Sequence, residues 1–165
     1  LGGSIFSDLR VRFGAVLVSG LAAVSPAAGQ SLEFGLTGDI KDDSIGVSLS
    51  YHAAPVFTTQ GGLSGGWGAS ARVNSGENAW AGAGFILNFP LSDNAFVETS
   101  FMPGYYHEGD RDLGGNLHFR SLIGVGWSVS PGGTVVLSLD HISNGGLEDR
   151  NPGTETVTLG YRMAF

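Results

Sequence analysis

The chain has 165 residues, 28 of them glycine and none cysteine, with 14% charged side chains and a formal net charge of −7. That length fits one domain, and the acidic balance excludes nucleic acid as a partner, because nothing in the chain would neutralise a run of phosphates. Without cysteine neither a disulfide nor a thiolate metal site can form, so an exported protein of this composition needs another closed architecture, and a β-barrel supplies one.

Residues 1–29 read as a signal peptide. Arg10 and Arg12 precede the apolar run from Phe13 to Val24, and Ser25-Pro26-Ala27-Ala28-Gly29 offers small residues for a peptidase, so cleavage is expected before Gln30. An amphipathic or transmembrane helix is the alternative, weakened by the shortness of the run and by Gly14, Ser19, Gly20 and Pro26 within it. The chain begins with Leu1 rather than methionine, which leaves the true amino terminus open. Beyond Gln30 no stretch of about 18 apolar residues remains to span a membrane as a helix.

From Gln30 onward the sequence alternates with period two in about eight segments of roughly ten residues, the pattern of a transmembrane β-barrel. The first sets Leu32, Phe34 and Leu36 against Glu33, Gly35 and Thr37, and the second sets Ile45, Val47, Leu49 and Tyr51 against Ser44, Gly46, Ser48 and Ser50. Trp67, Ala69, Ala71 and Val73 form the apolar face of the third, and Ala81, Ala83, Phe85 and Leu87 that of the fourth. The fifth splits less cleanly, with Phe96 and Met102 on the side of Glu98 and Ser100. Leu117, Phe119, Ile123, Val125 and Trp127 oppose His118, Arg120 and glycines in the sixth, with Leu122 as a blemish. Val135, Leu137 and Leu139 face away from Ser138 and Asp140 in the seventh; Val157, Leu159, Tyr161, Met163 and Phe165 face away from Thr156, Thr158, Gly160 and Arg162 in the eighth. A soluble sandwich also alternates, but here the polar face is crowded with glycine and paired charges, as a narrow eight-stranded lumen requires. The expected fold is therefore all-β, an eight-stranded antiparallel transmembrane barrel of the outer membrane over residues 30–165. The closing Phe165 resembles the carboxy-terminal signature of bacterial outer-membrane proteins.

With both termini in the periplasm, the connections alternate outside and inside. Asn88 to Asn94 and Ser130 to Gly133 read as periplasmic turns, Tyr106 to Gly114 and Asn144 to Gly153 as outer loops, and the inner connection from His52 to Gly62 is longer than the scheme prefers. Glu33, Arg72, Glu98, His118, Arg120, Asp140 and Arg162 are expected to form a satisfied ion-pair and hydrogen-bond network in the lumen rather than a polar pore.

One constellation breaks the pattern. The outward parity of Val135, Leu137 and Leu139 continues to His141 and Ser143, and that of Leu159 and Val157 continues to Glu155. Pairing Leu139 with Val157 places His141 opposite Glu155, with Cβ atoms about 4.5 to 5.5 Å apart, and Ser143 two residues along the same face. A serine nucleophile needs a base within reach, and the base needs an acceptor that holds its tautomer; Ser143, His141 and Glu155 fit those roles. Asn144-Gly145-Gly146 offers oxyanion donors, assigned to Asn144 and the backbone N–H of Gly146. The blander reading makes all of these interfacial polar residues at the start of a loop.

The run His141-Ile142-Ser143-Asn144-Gly145-Gly146, followed by Glu155, resembles the His-x-Ser-Asn motif and downstream glutamate of PagL-type lipid A 3-O-deacylases. The motif spans only Asp140 to Glu155, but those enzymes are also eight-stranded outer-membrane barrels. The resemblance implies hydrolysis of the ester-linked 3-hydroxyacyl chain at position 3 of lipid A, lipopolysaccharide as substrate and no cofactor, and it leaves room for a homodimer. A departure lies in the outer loops, where Asp39, Asp42, Asp43, Glu108, Asp110 and Asp112 leave few cations for lipid A phosphates unless divalent ions bridge them. His52, His107 and His118 lack metal-ligand spacing and read as turn, loop and lumen residues. Gly61-Gly62, Gly65-Gly66 and Gly114-Gly115 read as turns or kinks rather than phosphate loops. The alternatives are a non-enzymatic adhesion or structural barrel and an outer-membrane phospholipase or acyltransferase.

Overall fold

The structure, a computed structural model, describes residues 29–165; apart from Gly29, the segment expected to be a signal peptide lies outside the described residues. Its strands are β1 (Ser31–Asp39), β2 (Ile45–His52), β3 (Phe57–Thr58), β4 (Ser64–Asn74), β5 (Ala79–Ser92), β6 (Ala95–His107), β7 (Leu117–Ser130), β8 (Gly133–Ser143) and β9 (Thr154–Ala164). Neighbours in sequence pair antiparallel from β4 to β9; β1 joins β9 to β2, and β2 pairs with β4, which closes the sheet. Eight staves thus form the barrel, and closure removes the sheet edges that would expose unpaired backbone to lipid.

The two-residue β3 accounts for the long inner connection. It pairs with the start of β4, Phe57 with Gly65 and Thr58 with Ser64, so the chain doubles back before entering the barrel. Phe57 stacks on Phe85 with ring centroids 6.4 Å apart, and its ring occupies the space a Cβ on Gly65 would need.

Two expected boundaries move. The segment Asn88 to Ser92 continues β5 rather than forming a turn, and only Asp93 and Asn94 reverse the chain; a register shift between Pro90 and Ser92 accommodates the proline, which cannot donate to the ladder. At the other end β6 runs on to His107, so Tyr106 is a barrel residue and the outer loop begins after it. Residues 131 and 132 alone link β7 to β8.

The parity of the sequence is the parity of the barrel. Phe34, Leu36, Val47, Trp67, Phe101, Ile123, Leu137, Leu139, Val157 and Leu159 are exposed on the outer face, where a hydrocarbon phase covers them. Glu33, Glu98, Arg120, Asp140 and Arg162 are buried inside. They divide into two groups. Nearer the periplasmic end Arg162 bonds Glu33 at 2.7 Å and Glu98 at 2.8 Å; nearer the outer end Asp140 bonds Arg72 at 2.9 Å and Arg120 at 3.1 Å. His52 belongs to the first group and is not a turn residue: its ring nitrogens lie 3.8 Å from Glu33 and from Glu98. His118 stays in the lumen as expected but outside both ion-pair groups, against the carbonyl of Leu113 at 3.3 Å.

The misfits in the alternation have a common cause. Met102 and Leu122 face inward, and Met102 packs with Trp80, Ile86, Tyr106, Leu113 and Ile142 in an apolar cluster. Leu113 comes from the β6–β7 loop, which folds into the barrel mouth. The lumen is a packed core, as expected for eight strands, and not a pore.

Candidate active site

β8 ends at Ser143 and β9 begins at Thr154, so loop 144–153 caps the outer end of the last hairpin. Leu139 pairs with Val157 and His141 with Glu155, the register expected from the sequence. His141 Nδ1 lies 2.9 Å from Glu155 Oε1. A carboxylate only accepts, so the proton of this bond is on Nδ1 and the lone pair of Nε2 is free for another hydrogen. The two side chains are 48% and 31% exposed, on the outer surface rather than in the lumen.

Ser143 lies on the same face of β8 as His141, half-buried and paired with Phe119 of β7. No hydrogen bond joins its hydroxyl to His141 among the described residues. The strands bring His141 and Glu155 together and set Ser143 two residues from His141 on the same face of β8.

Asn144 takes a different place from the one expected. Its side chain is fully buried and points inward, donating through Nδ2 to the carbonyls of Gly114 at 2.9 Å and Arg150 at 2.7 Å. Its Oδ1 accepts the N–H of Gly146 at 2.9 Å. Both expected oxyanion donors are thus engaged within the protein, and Asn144 knits loop 144–153 to the β6–β7 loop. The backbone N–H of Asn144 is held by Oδ1 of Asn151 at 3.1 Å, which turns the Asn151 amide nitrogen the other way.

Three further residues complete the rim, and spacing in the sequence did not single them out. Lys41, in the β1–β2 turn, lies 3.0 Å from the second carboxylate oxygen of Glu155. Arg111 reaches from the β6–β7 loop to Asp39 at 3.3 Å, Asp42 at 3.1 Å and the carbonyl of Gly153 at 3.3 Å. Gly153 abuts the His141 ring: a Cβ there would come within 2.7 Å of Cε1, and its φ of +59° already favours glycine. The signal that would have found Lys41 is the closure of β1 on β9, which pairs Asp39 with Thr156 and delivers the following turn to Glu155. The same contacts revise the picture of the acidic loops. Asp39 and Asp42 are neutralised by Arg111, and Asp112 by Arg150 at 3.1 Å, so half of the six outer carboxylates serve internal pairs.

A family model for lipid A 3-O-deacylases (PagL) matches residues 43–164, most of the barrel, with His141, Ser143 and Glu155 inside the match. The chain belongs to this family. Among known proteins it is 28% identical over 153 residues to the lipid A deacylase PagL of Pseudomonas aeruginosa, an alignment that covers 86% of each chain. It is 30% identical over 86 residues to the lipid A deacylase PagL of Bordetella bronchiseptica, covering 52% of this chain and 44% of that one, so it spans less than half of that relative. The crystal structure of the outer membrane enzyme PagL superposes with a TM-score of 0.69 at 23% identity, over 82% of this chain and 99% of that one. That likeness carries the fold, the closed outer-membrane barrel, and the family match carries the ester-hydrolase class.

Proposed function

We propose that this barrel removes the ester-linked 3-hydroxyacyl chain at position 3 of lipid A, with Ser143 as nucleophile, His141 as general base and Glu155 as its orienting carboxylate. The observation that carries the assignment is the 2.9 Å bond between His141 Nδ1 and Glu155 Oε1 on the outer surface, with Ser143 two residues away on the same strand face.

In the first step Ser143 Oγ attacks the ester carbonyl and its proton passes to His141 Nε2, the nitrogen that the Glu155 bond leaves unprotonated. The imidazolium so formed is stabilised by Glu155. Collapse of the tetrahedral intermediate transfers the proton from Nε2 to the departing sugar oxygen and leaves the acyl chain on Ser143. A water molecule, deprotonated by the same nitrogen, then releases the fatty acid and restores the hydroxyl. The Ser143–His141 hydrogen bond is the contact left to substrate binding, and such contacts are commonly long before the Michaelis complex forms. Donors to the oxyanion come from loop 144–153. For Gly146 N–H or the Asn144 amide to serve, each would exchange a bond it now makes within the loop for one to substrate.

Height in the membrane supports the substrate class. β8 runs outward and the triad sits at its end, above the lipid-facing belt of Leu137, Leu139, Val157 and Leu159. An ester near the headgroups of the outer leaflet meets Ser143 from the side, where water also reaches. A deeper triad would hold Glu155 charged in hydrocarbon at a cost on the order of a few kcal/mol.

The test is mass spectrometry of lipid A incubated in detergent with the refolded protein or with Ser143→Ala at equal folded concentration. Loss of one 3-hydroxyacyl chain with wild type alone is expected. If glycerophospholipid is attacked instead, or Ser143→Ala is as active as wild type, the assignment is wrong.

A further inference from the structure

Lys41 lies outside the motif that defines the triad, yet three of its hydrogen-bond acceptors surround the catalytic base. Its Nζ is 3.0 Å from Glu155 Oε2, 3.0 Å from the carbonyl of Pro152 and 3.4 Å from the carbonyl of Gly153. Glu155 holds His141 at Nδ1, and Gly153 lies against the adjoining Cε1–Nε2 edge of the same ring. One ammonium group therefore bonds both the acceptor of the ring and the backbone that abuts it.

The lysine is itself held on a built turn. Ile40 N–H donates to the carbonyl of Glu155 at 2.9 Å, Lys41 N–H donates to Asp39 Oδ1 at 2.9 Å, and Asp39 N–H donates to the carbonyl of Ser44 at 2.8 Å. The turn is thereby locked to β9 beside the acid it serves, and Lys41 is available in the right place before substrate arrives.

We propose that Lys41 is the positioning residue for the catalytic base: it divides the Glu155 carboxylate, leaving one oxygen for His141, and clamps the loop that backs the His141 ring. This rests on the triad reading above. The other charged groups on the segments around the site are Asp39, Asp42 and Asp43, Glu108, Asp110, Arg111 and Asp112, and Glu148, Asp149 and Arg150. Of these, Asp39 and Asp42 are paired with Arg111, and Asp112 with Arg150, which leaves Lys41 as the cation bonded directly to the triad.

The test compares Lys41→Met, Lys41→Arg and Lys41→Cys with wild type, in detergent and at equal folded concentration, with substrate varied to separate kcat from KM. In Lys41→Met we expect kcat to fall about tenfold, the scale of a misplaced catalytic group, with KM unchanged. Lys41→Arg should recover most of the loss. Because the chain has no cysteine, Lys41→Cys carries a single thiol, and alkylating it with bromoethylamine on the folded barrel rebuilds an ammonium group at nearly the lysine's reach. Activity should return with this reagent and not with iodoacetamide, whatever the folding yield of the other variants. A rise in KM at unchanged kcat would reassign Lys41 to the substrate's phosphates, and equal recovery with both reagents would leave it a structural tether. An active Ser143→Ala control would instead bring down the triad reading itself.

Discussion

Glu155→Gln isolates the charge of the acid from its shape. The glutamine oxygen can still accept from His141 Nδ1 across the 2.9 Å contact, so the ring stays in place and what is lost is the stabilisation of the imidazolium. Two unit charges about 4 Å apart interact by about 1 kcal/mol in water and about 4 kcal/mol at the effective dielectric of a protein surface, which brackets the rate loss between about 5-fold and about 10³-fold. With the side chains 48% and 31% exposed and one carboxylate oxygen already shared with Lys41, the value belongs towards the lower half, about 10- to 100-fold. That is well short of the roughly 10⁴-fold loss seen when the buried acid of a serine protease triad is made an amide. The assay is initial-rate release of hydroxy fatty acid from lipid A in detergent, with substrate varied to separate kcat from KM. Loss should appear equally in kcat and kcat/KM, because the imidazolium exists only in the transition state. A Glu155→Gln enzyme with wild-type kcat, beside an inactive His141→Ala, would refute the role of the carboxylate.

Other substitutions probe the frame around the triad. Gly153→Ala drives a methyl to within 2.7 Å of His141 Cε1 at a φ of +59°, so the loop or the ring must shift; kcat should fall while the unfolding midpoint in urea barely moves. Asn144→Ala strips partners from the carbonyls of Gly114 and Arg150 and from Gly146 N–H, at about 1 to 3 kcal/mol for such a loss, and hydrogen exchange should accelerate in loop 144–153 ahead of the strands. Asp140→Ala leaves Arg72 and Arg120 facing each other inside the barrel without their shared acid. Breaking a buried pair costs about 3 to 5 kcal/mol, so refolding yield and urea midpoint should drop while activity per folded molecule is retained.

The period of two made the barrel legible because lipid outside and a packed lumen inside impose opposite demands on adjacent residues. It also fixed the register of the last hairpin: His141 and Glu155 are placed by Leu139 opposite Val157, and that pairing is written in the apolar positions themselves. Where the lumen is apolar the rule gives no contrast, and Met102 and Leu122 look like errors until the cluster around Trp80 and Ile142 is seen. Pro90 suggests a turn because a proline argues against a regular strand, whereas a register shift lets β5 carry it. Residue type alone points Asn144 at the oxyanion, whereas its side chain turns into the mouth because β8 alternates and residue 144 follows a residue facing out. Lys41 and Gly153 were invisible for a different reason. They reach the triad through the closure of β1 on β9 and through loop conformation, and neither leaves a periodic trace in the sequence.

The lumen and the face proposed for catalysis are two sides of one strand pair, and this couples fold to chemistry. Asp140 pairs with Thr156 one position before His141 meets Glu155, and Asp140 is bonded across the barrel to Arg72 of β4 as well as to Arg120 of β7. A slip of β8 by one residue would send Asp140 into lipid and His141 into the lumen, losing both arginines at once. The charges inside, which touch no substrate, therefore hold the register that puts His141 and Ser143 outside. A soluble hydrolase can surround its triad with loops on every side; an enzyme whose substrate is the surrounding membrane has to leave that side open. Here the rigidity those loops would supply comes from the ladder of β8 and β9, from the buried ion pairs behind it, and from the turn carrying Lys41 at its outer edge.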